Sequence, residues 1–352
     1  MIHQSRINVR IANAIMVILL FVFMGIFSIV TNGQTLNNEL AVRYKNANSE
    51  IRISSEVSLS AKAVPLNHAI NSGFDDIKPS VAPNGKRVYF SRFMHPLNTF
   101  GTADMEDIWY SEFDENTEAW SDPIRMTGLL NNAGPNFVNN VSVTGDTLIL
   151  GNQYKKNGKM RAGLSYSVNQ NGQWSFPVPI HIENDYNISE QSNSFVSLKN
   201  GVIIRAIERV ETVGGRDLYV SFWNGEVATE PINMGASINS DLDESSPFLA
   251  SDNKTLYFAS KGHNGNGGYD IYMTRRLDDS WTNWSAPENL GPAVNGPMDD
   301  EFFSITHCGN HAIFSKQVSV HNTDLYRISM SELFERPINN NSLKGNSSMA
   351  SL

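Results

Sequence analysis

A unit of about 54 residues recurs along this chain, and the recurrence is the feature that most constrains its fold. An aspartate opens the third predicted strand of four copies, and Gly163 takes that place in the remaining copy. The steps between these five positions are 53 to 56 residues. Near-constant steps of this length are typical of repeat architectures. The aspartates are Asp107, Asp217, Asp270 and Asp324.

Other landmarks keep the same spacing. A Trp-to-Pro element closes most units, beginning at Trp120, Trp174 and Trp284. Each unit therefore supplies about four short strands joined by Gly, Asn, Asp and Ser turns. The apolar second strands contain, in chain order, Phe90, Leu150, Ile204, Phe258 and Phe314.

A four-stranded antiparallel sheet cannot cover both of its own faces, whereas radial packing of such sheets covers all but the short edges. The repeat therefore predicts an all-β fold, a β-propeller of four-stranded antiparallel blades. A sandwich would not repeat at this period, and a β-solenoid has shorter rungs. Five periods over residues 65–339 predict five blades. The alternative is six, because residues 51–59 alternate like a strand and residues 334–339 resemble the closing part of a blade.

The N-terminal segment has the order of an export signal. Arg6 and Arg10 precede an uncharged apolar run over residues 11–30, and the small residues Thr31 and Gly33 follow. Residues 1–33 are therefore a predicted signal peptide or, if retained, a membrane anchor. Residues 34–64 are a predicted linker with a candidate ring-closing strand, and residues 340–352 a predicted disordered tail. The chain is expected in the periplasm or cell envelope.

Composition excludes several classes of function. The net charge is −9 without a long Lys/Arg run, so nucleic acid is not an expected partner, and membrane contact is expected only through an uncleaved N-terminus. Cys308 is the single cysteine, which rules out an intramolecular disulfide and a cysteine-based zinc site. No metal site and no cofactor is predicted, because the common catalytic and metal-binding motifs are missing from the sequence.

Residues 78–91 resemble the WD-like repeat of TolB-type propellers. The matching features are Pro79 and Ser80, the Asn84-Gly85 turn and the apolar strand that follows. Units with Asp-Ile-Trp/Tyr and Trp-Ser-x-Pro are also similar to the cell-envelope propellers of Bacteroidetes-type bacteria. The resemblance implies a fold rather than an activity. The expected partner is a protein or a glycan of the envelope.

Paired acids precede the innermost strand of several units, which in a propeller lies near one mouth of the axial channel. Converging carboxylates could bind a cation or perform the acid/base steps of glycoside hydrolysis. Their repetition instead favours a structural role, because a catalytic pair needs two unlike environments. The acids are Asp76, Glu244 and Asp300, with Asp75, Asp243, Asp299 and Glu190 beside them or near the corresponding place.

Units two and three depart from the repeat consensus and carry four arginines on an acidic chain: Arg161, Arg205, Arg209 and Arg216. They could form a basic face for a carboxylate, an anionic glycan or a partner protein. The alternative is a set of solvated or salt-bridged arginines. The strand-opening aspartates are predicted turn caps.

The sequence as a whole predicts an exported, non-enzymatic propeller that binds a protein or glycan of the envelope. The alternative is a propeller-fold glycoside hydrolase, or another carbohydrate-active enzyme, that uses Asp76, Glu244 and Asp300.

Overall fold

The computed structural model describes residues 53–334, whose strands form five sheets. Four repeats each supply one sheet, and the last repeat shares its sheet with a strand near the start of the described range. Strands within a blade pair in antiparallel fashion, and one parallel pair links two blades. The predicted all-β fold, a five-bladed propeller with four-stranded antiparallel blades, is therefore confirmed.

The first three blades take their strands in chain order from the inside outward. Blade 1 contains β2 (Asp76–Val81), β3 (Arg87–Phe93), β4 (Glu106–Asp114), β5 (Ala119–Trp120) and β6 (Ile124–Arg125), with a 3₁₀ turn at Gly101–Ala103. Blade 2 contains β7 (Val138–Val141), β8 (Thr147–Tyr154), β9 (Met160–Gln170), β10 (Gln173–Trp174) and β11 (Val178–Ile182). Blade 3 contains β12 (Asn193–Ser197), β13 (Val202–Ile207), β14 (Asp217–Phe222) and β16 (Ile232–Asn233), while β15 (Val227–Ala228) pairs in parallel with β11.

The last two blades complete the ring. Blade 4 contains β17 (Glu244–Leu249), β18 (Thr255–Ser260), β19 (Asp270–Arg275) and β20 (Glu288–Asn289). Blade 5 contains β21 (Asp300–Ile305), β22 (His311–Ser319) and β23 (Asn322–Ser329), with β1 (Val64–Pro65) at its outer edge. A single helical turn, α1 (Met330–Leu333), follows β23.

The ring is closed by β1, which pairs with β23 through Val64 opposite Arg327 and Pro65 opposite Tyr326. An N-terminal strand thus completes the blade that the C-terminal repeat leaves one strand short. The alternation at residues 51–59 predicts a strand in that segment. Over its described part, residues 53–59, the structure has turns instead, with one isolated bridge between Ile53 and Asn289.

Five hydrophobic clusters fill the described ring, one between each pair of neighbouring blades. Between blades 3 and 4, for example, Ile204 and Val220 pack with Leu249 and Phe258, each at most 3% exposed. Both faces of each sheet are covered by the neighbouring blades, as radial packing requires. Truncation of such a side chain to alanine typically costs about 2–5 kcal/mol of folding free energy.

The strand-opening aspartates hold turns. Asp270 accepts a hydrogen bond from the backbone N–H of Asn266 at 2.5 Å and from the side chain of Asn289 at 2.9 Å. Asp217 repeats both contacts one blade earlier. These partners fit the turn-capping role expected of them. Asp107 accepts a hydrogen bond from the backbone N–H of Thr99, and Asp324 accepts one from the side chain of Asn322.

Several predictions concern parts of the chain outside the described residues. These are the signal or anchor at 1–33, most of the linker over 34–64, the part of the predicted propeller after residue 334, and the tail at 340–352. Within residues 53–334, no helix has the length and apolar character needed to cross a membrane.

Candidate functional site

A cavity of about 550 Å³ lies on the axis of the ring, between the second halves of the inner strands and the turns that follow them. We call it the axial cavity. All five blades contribute to its wall, represented in chain order by Val81, Val141, Phe195, Leu249 and Ile305. Its volume lies within the range of small-molecule and peptide side-chain sites. It is therefore the candidate functional site.

The wall of the axial cavity is mainly apolar, with neutral hydroxyl and amide groups interspersed. Phe195 and Phe248 meet edge to face within it, their ring centroids 5.3 Å apart. Its titratable lining residues are Lys199 and His307, which are both exposed. None of the described residues that line it is Asp or Glu.

Toward the starts of the inner strands the axis narrows to a second space of about 30 Å³, which we call the polar chamber. It shares Phe248 and Ser304 with the axial cavity, so the two are adjacent. This volume suits one or two water-sized groups. Its wall also contains Lys78, Phe137, Asn139, Ser194 and Ser246.

β-Bulges in the inner strands shape the chamber. The strand register shifts at this level in blades 1, 4 and 5, where Lys78, Ser246 and Phe302 adopt φ values of 57°, 42° and 58°. Residues other than glycine rarely adopt this left-handed conformation, which costs roughly 1–3 kcal/mol each. The same local distortion at three places around one axis marks the chamber as a built feature rather than a packing accident.

Three polar atoms of the chamber residues are buried without a hydrogen-bond partner: Asn139 Nδ2, Ser194 Oγ and Ser246 Oγ. Ser194 and Ser246 are 5% and 6% exposed. Buried polar groups are usually satisfied by protein or by an ordered guest. The sequence did not single out these residues.

The predicted acids Asp76, Glu244 and Asp300 each begin an inner strand, yet none lines the axial cavity or the polar chamber. They are at most 1% exposed. Each accepts a hydrogen bond from the backbone N–H four residues earlier, which closes the loop before its strand. The donors are Ser72 for Asp76, Ser240 for Glu244 and Gly296 for Asp300, at 2.6, 3.0 and 2.6 Å.

Burial sets the protonation of these acids. It raises the pKa of Glu244 to about 7, because the carboxyl is cut off from water and its hydrogen bonds from Ser240 and Ser260 offset this only in part. Burial also raises the pKa of Asp76 and Asp300 to about 6, against the opposing charges of Arg92 and Lys316. Each acid stays within its own blade and does not converge with the others.

The acids beside them tie neighbouring blades together. Asp243, at the start of blade 4, accepts a hydrogen bond from the backbone N–H of Arg216 in blade 3 at 2.8 Å. Asp299 does the same for Tyr269 of blade 4 at 2.8 Å. Asp75 is half-buried and Glu190 is exposed.

Three of the four predicted arginines are buried beside carboxylates, and Arg161 alone of the four is exposed. Arg209 donates to Glu211 at 2.5 Å and stacks on Tyr186, 4.1 Å from the ring centroid. Pairing of this kind satisfies a guanidinium within the protein, and a role in ligand binding stays a prediction. The other pairs are Arg205 with Asp185 and Arg216 with Asp243.

Residues 53–334 bring together no group of three or more His, Cys, Asp or Glu side chains that could hold a metal ion. Cys308 is exposed beside the rim of the axial cavity. The geometry of the described residues therefore offers a binding cavity without an acid/base pair in its wall.

No protein-family model and no curated protein matches the chain. Among solved structures it is similar to TolB from Acinetobacter baumannii, at 12% identity and a TM-score of 0.42 over 76% of this chain and 57% of that one. The chain thus spans little more than half the length of that TolB.

Two further structures are similar over nearly their whole length. A protein of unknown function from Dyadobacter fermentans matches at 12% identity and a TM-score of 0.48, over 78% of this chain and 99% of that one. An α-L-arabinofuranosidase from Lactobacillus brevis matches at 12% identity and a TM-score of 0.46, over 75% and 92%. The similarity to TolB-type propellers noted in the repeat is thus found again among solved structures, but at these values it carries no inference about activity.

Proposed function

We propose that this chain is an exported, non-enzymatic propeller that binds a segment of a partner protein in its axial cavity. The observation that carries the proposal is the character of the cavity wall: all five blades supply apolar side chains, and charged groups occur only at the rim. A site of this kind binds apolar side chains by removing them from water, at about 25 cal/mol per Å² buried.

A protein segment suits this wall better than a glycan does. Buried sugar hydroxyls each need a hydrogen-bond partner, and an unpaired one costs roughly 1–3 kcal/mol. The apolar side chains that dominate the wall, such as Val81, Leu249 and Ile305, offer no such partners, and only the hydroxyl and amide groups between them can supply some. An extended peptide with one or two apolar side chains leaves fewer polar groups unpaired.

Glycoside hydrolysis is the alternative, and the geometry of the acids argues against it. A general acid must reach the glycosidic oxygen. Glu244 has a raised pKa suited to proton donation, but it is fully buried and held by Ser240 and Ser260 at 2.6 and 2.8 Å. A glycan screen that detects turnover, abolished in Asp300→Asn, would reverse this preference.

The proposal is tested with peptides selected by display against the full chain. Because Ser197 lines the cavity, Ser197→Trp should obstruct the cavity and weaken the binding of the selected peptides at least tenfold. Ile124→Trp, on the exposed edge of blade 1, is the matched control and should leave affinity unchanged. Peptides that bind both variants like the wild type would show that the axial cavity is not the site.

A further inference from the structure

The polar chamber needs an occupant with a particular chemistry, and Asn139 defines it. The side-chain oxygen of Asn139 accepts the backbone N–H of Ser194 at 3.1 Å, which fixes the orientation of the amide. Its nitrogen is the buried atom without a partner. The group that Asn139 leaves unpaired is therefore a donor, and its partner must be an acceptor.

The two serines are compatible with that occupant. The hydroxyls of Ser194 and Ser246 are buried and unpartnered, and a hydroxyl can donate to an acceptor as readily as it accepts. Blades 2, 3 and 4 thus each contribute to the chamber wall a residue with one unpartnered, donor-capable atom, and the chamber has room for one or two water-sized groups. A wall of this composition suits a single acceptor oxygen atom.

The charge balance of the chamber favours an uncharged oxygen. Lys78 is the cation in its wall, and its ammonium group already lies 2.7 and 2.6 Å from the two carboxylate oxygens of Glu106. The same ammonium group sits 3.8 Å from the ring centroid of Phe137. A carboxylate in the chamber would therefore meet no uncompensated positive charge, and burying it would be costly.

We propose that the polar chamber is the deep end of the ligand site and binds an uncharged carbonyl oxygen of the segment held in the axial cavity. The inference rests on the proposed function, since Phe248 and Ser304 line both spaces and a bound segment could span them. Specificity then arises in two steps: the apolar wall selects the body of the ligand, and Asn139 selects its tip.

Three small probes of similar shape test the two steps separately. Acetophenone carries an apolar ring and a neutral carbonyl, ethylbenzene lacks the oxygen, and benzoate replaces the carbonyl with a charged carboxylate. Dissociation constants are measured by NMR titration of the full chain at pH 8. Acetophenone should bind more tightly than benzoate.

Asn139→Asp keeps an oxygen for the Ser194 N–H and replaces the free donor with a second acceptor. It should weaken the binding of acetophenone about tenfold and leave the binding of ethylbenzene unchanged. Ser246→Ala removes one hydroxyl and introduces no charge, and it should weaken the binding of acetophenone severalfold. It provides a second test if Asn139→Asp folds poorly. Asn157→Asp, in an exposed turn of the same blade, is the control and should change the binding of neither probe.

The inference is overturned if acetophenone and ethylbenzene respond alike to Asn139→Asp and Ser246→Ala, or if benzoate binds most tightly. In either case, ethylbenzene binding that Ser197→Trp abolishes would leave the proposed function standing. Failure of all three probes to bind would overturn the inference and count against the proposed function as well.

Discussion

Asn71 forms two hydrogen bonds with Leu325, although 254 residues separate them in the chain. The Leu325 N–H donates to Asn71 Oδ1 at 2.8 Å, and Asn71 Nδ2 donates to the Leu325 carbonyl at 3.1 Å. We call this two-way contact the clasp. The loop before blade 1 is thereby fixed to the third strand of blade 5. The same two-way contact recurs between consecutive blades. The corresponding pairs are Asn131 with Ile108, Asn239 with Leu218 and Asn295 with Ile271.

The clasp at the closure of the ring predicts a stability effect. Asn71→Ala removes both hydrogen bonds and leaves the Leu325 N–H buried and unpaired, whereas the Leu325 carbonyl keeps the N–H of Leu66 at 2.8 Å, so the free energy of unfolding should fall by about 1–3 kcal/mol. Urea denaturation measures the change. The control is Asn157→Ala, because the side chain of the exposed Asn157 holds only a local turn. This change should lower the free energy of unfolding by less than about 0.5 kcal/mol. Equal losses at the two positions would mean that the clasp does not stabilise the ring.

Glu244 predicts a pH dependence. Its pKa is about 7 in the folded chain and near 4.5 in the unfolded one, so between these values the folded state binds more protons than the unfolded state. Folding stability from this group is therefore present below about pH 4.5 and is lost as the pH rises through about 7. Asp76 and Asp300 act in the same direction up to about pH 6.

The contribution of Glu244 is isolated by Glu244→Gln, which keeps the shape and cannot ionise. The free energy of unfolding is measured with denaturant at pH 5 and at pH 8. From pH 5 to pH 8 it should fall by at least about 1 kcal/mol more in the wild type than in the variant. The glutamine can still face Ser240 and Ser260, so the variant is expected to fold. An identical loss in both proteins would place the folded pKa of Glu244 near its ordinary value.

The wall of the polar chamber depends on the absence of a side chain at Gly151. A Cβ atom there would lie 2.0 Å from the ring of Phe137, which lines the chamber. Gly151→Ala should therefore lower the free energy of unfolding by about 1–3 kcal/mol. A Cβ atom at Gly73 would meet nothing within 4 Å, and Gly73→Ala should cost nothing measurable. Thermal unfolding of both variants checks the contrast, and a stable Gly151→Ala protein would contradict the packing described for Phe137.

The fold was predictable because the residues that set it recur. Asp217 and Asp270 cap the same turn, and Asn239 and Asn295 make the same inter-blade contact, so each leaves a periodic mark in the sequence. The strand that completes the last blade leaves no such mark. The two-residue strand Val64–Pro65 has no pattern of its own, which is why the repeat could not decide between five and six blades.

The site was less predictable, because its residues depart from the repeat. Strand register places Asn139 where the best-matching copies have Pro79 and Pro247. Asn139 and Ser246 line the same chamber and lie at bulges in their strands, and a bulge is not visible in hydrophobic periodicity. The acids recur because each holds the loop before the inner strand in blades 1, 4 and 5.

The central claim is that a partner segment occupies the axial cavity, and photocrosslinking in the cell that makes the protein tests it most directly. A benzoylphenylalanine replaces Leu198 in the wall of the cavity or, as the control, the exposed Ile124 on the edge of blade 1. A discrete crosslinked product at position 198 that is missing at 124, and that disappears in the Ser197→Trp background, is the predicted result. Crosslinks that form equally at both positions, or that persist when the cavity is filled, would contradict the account.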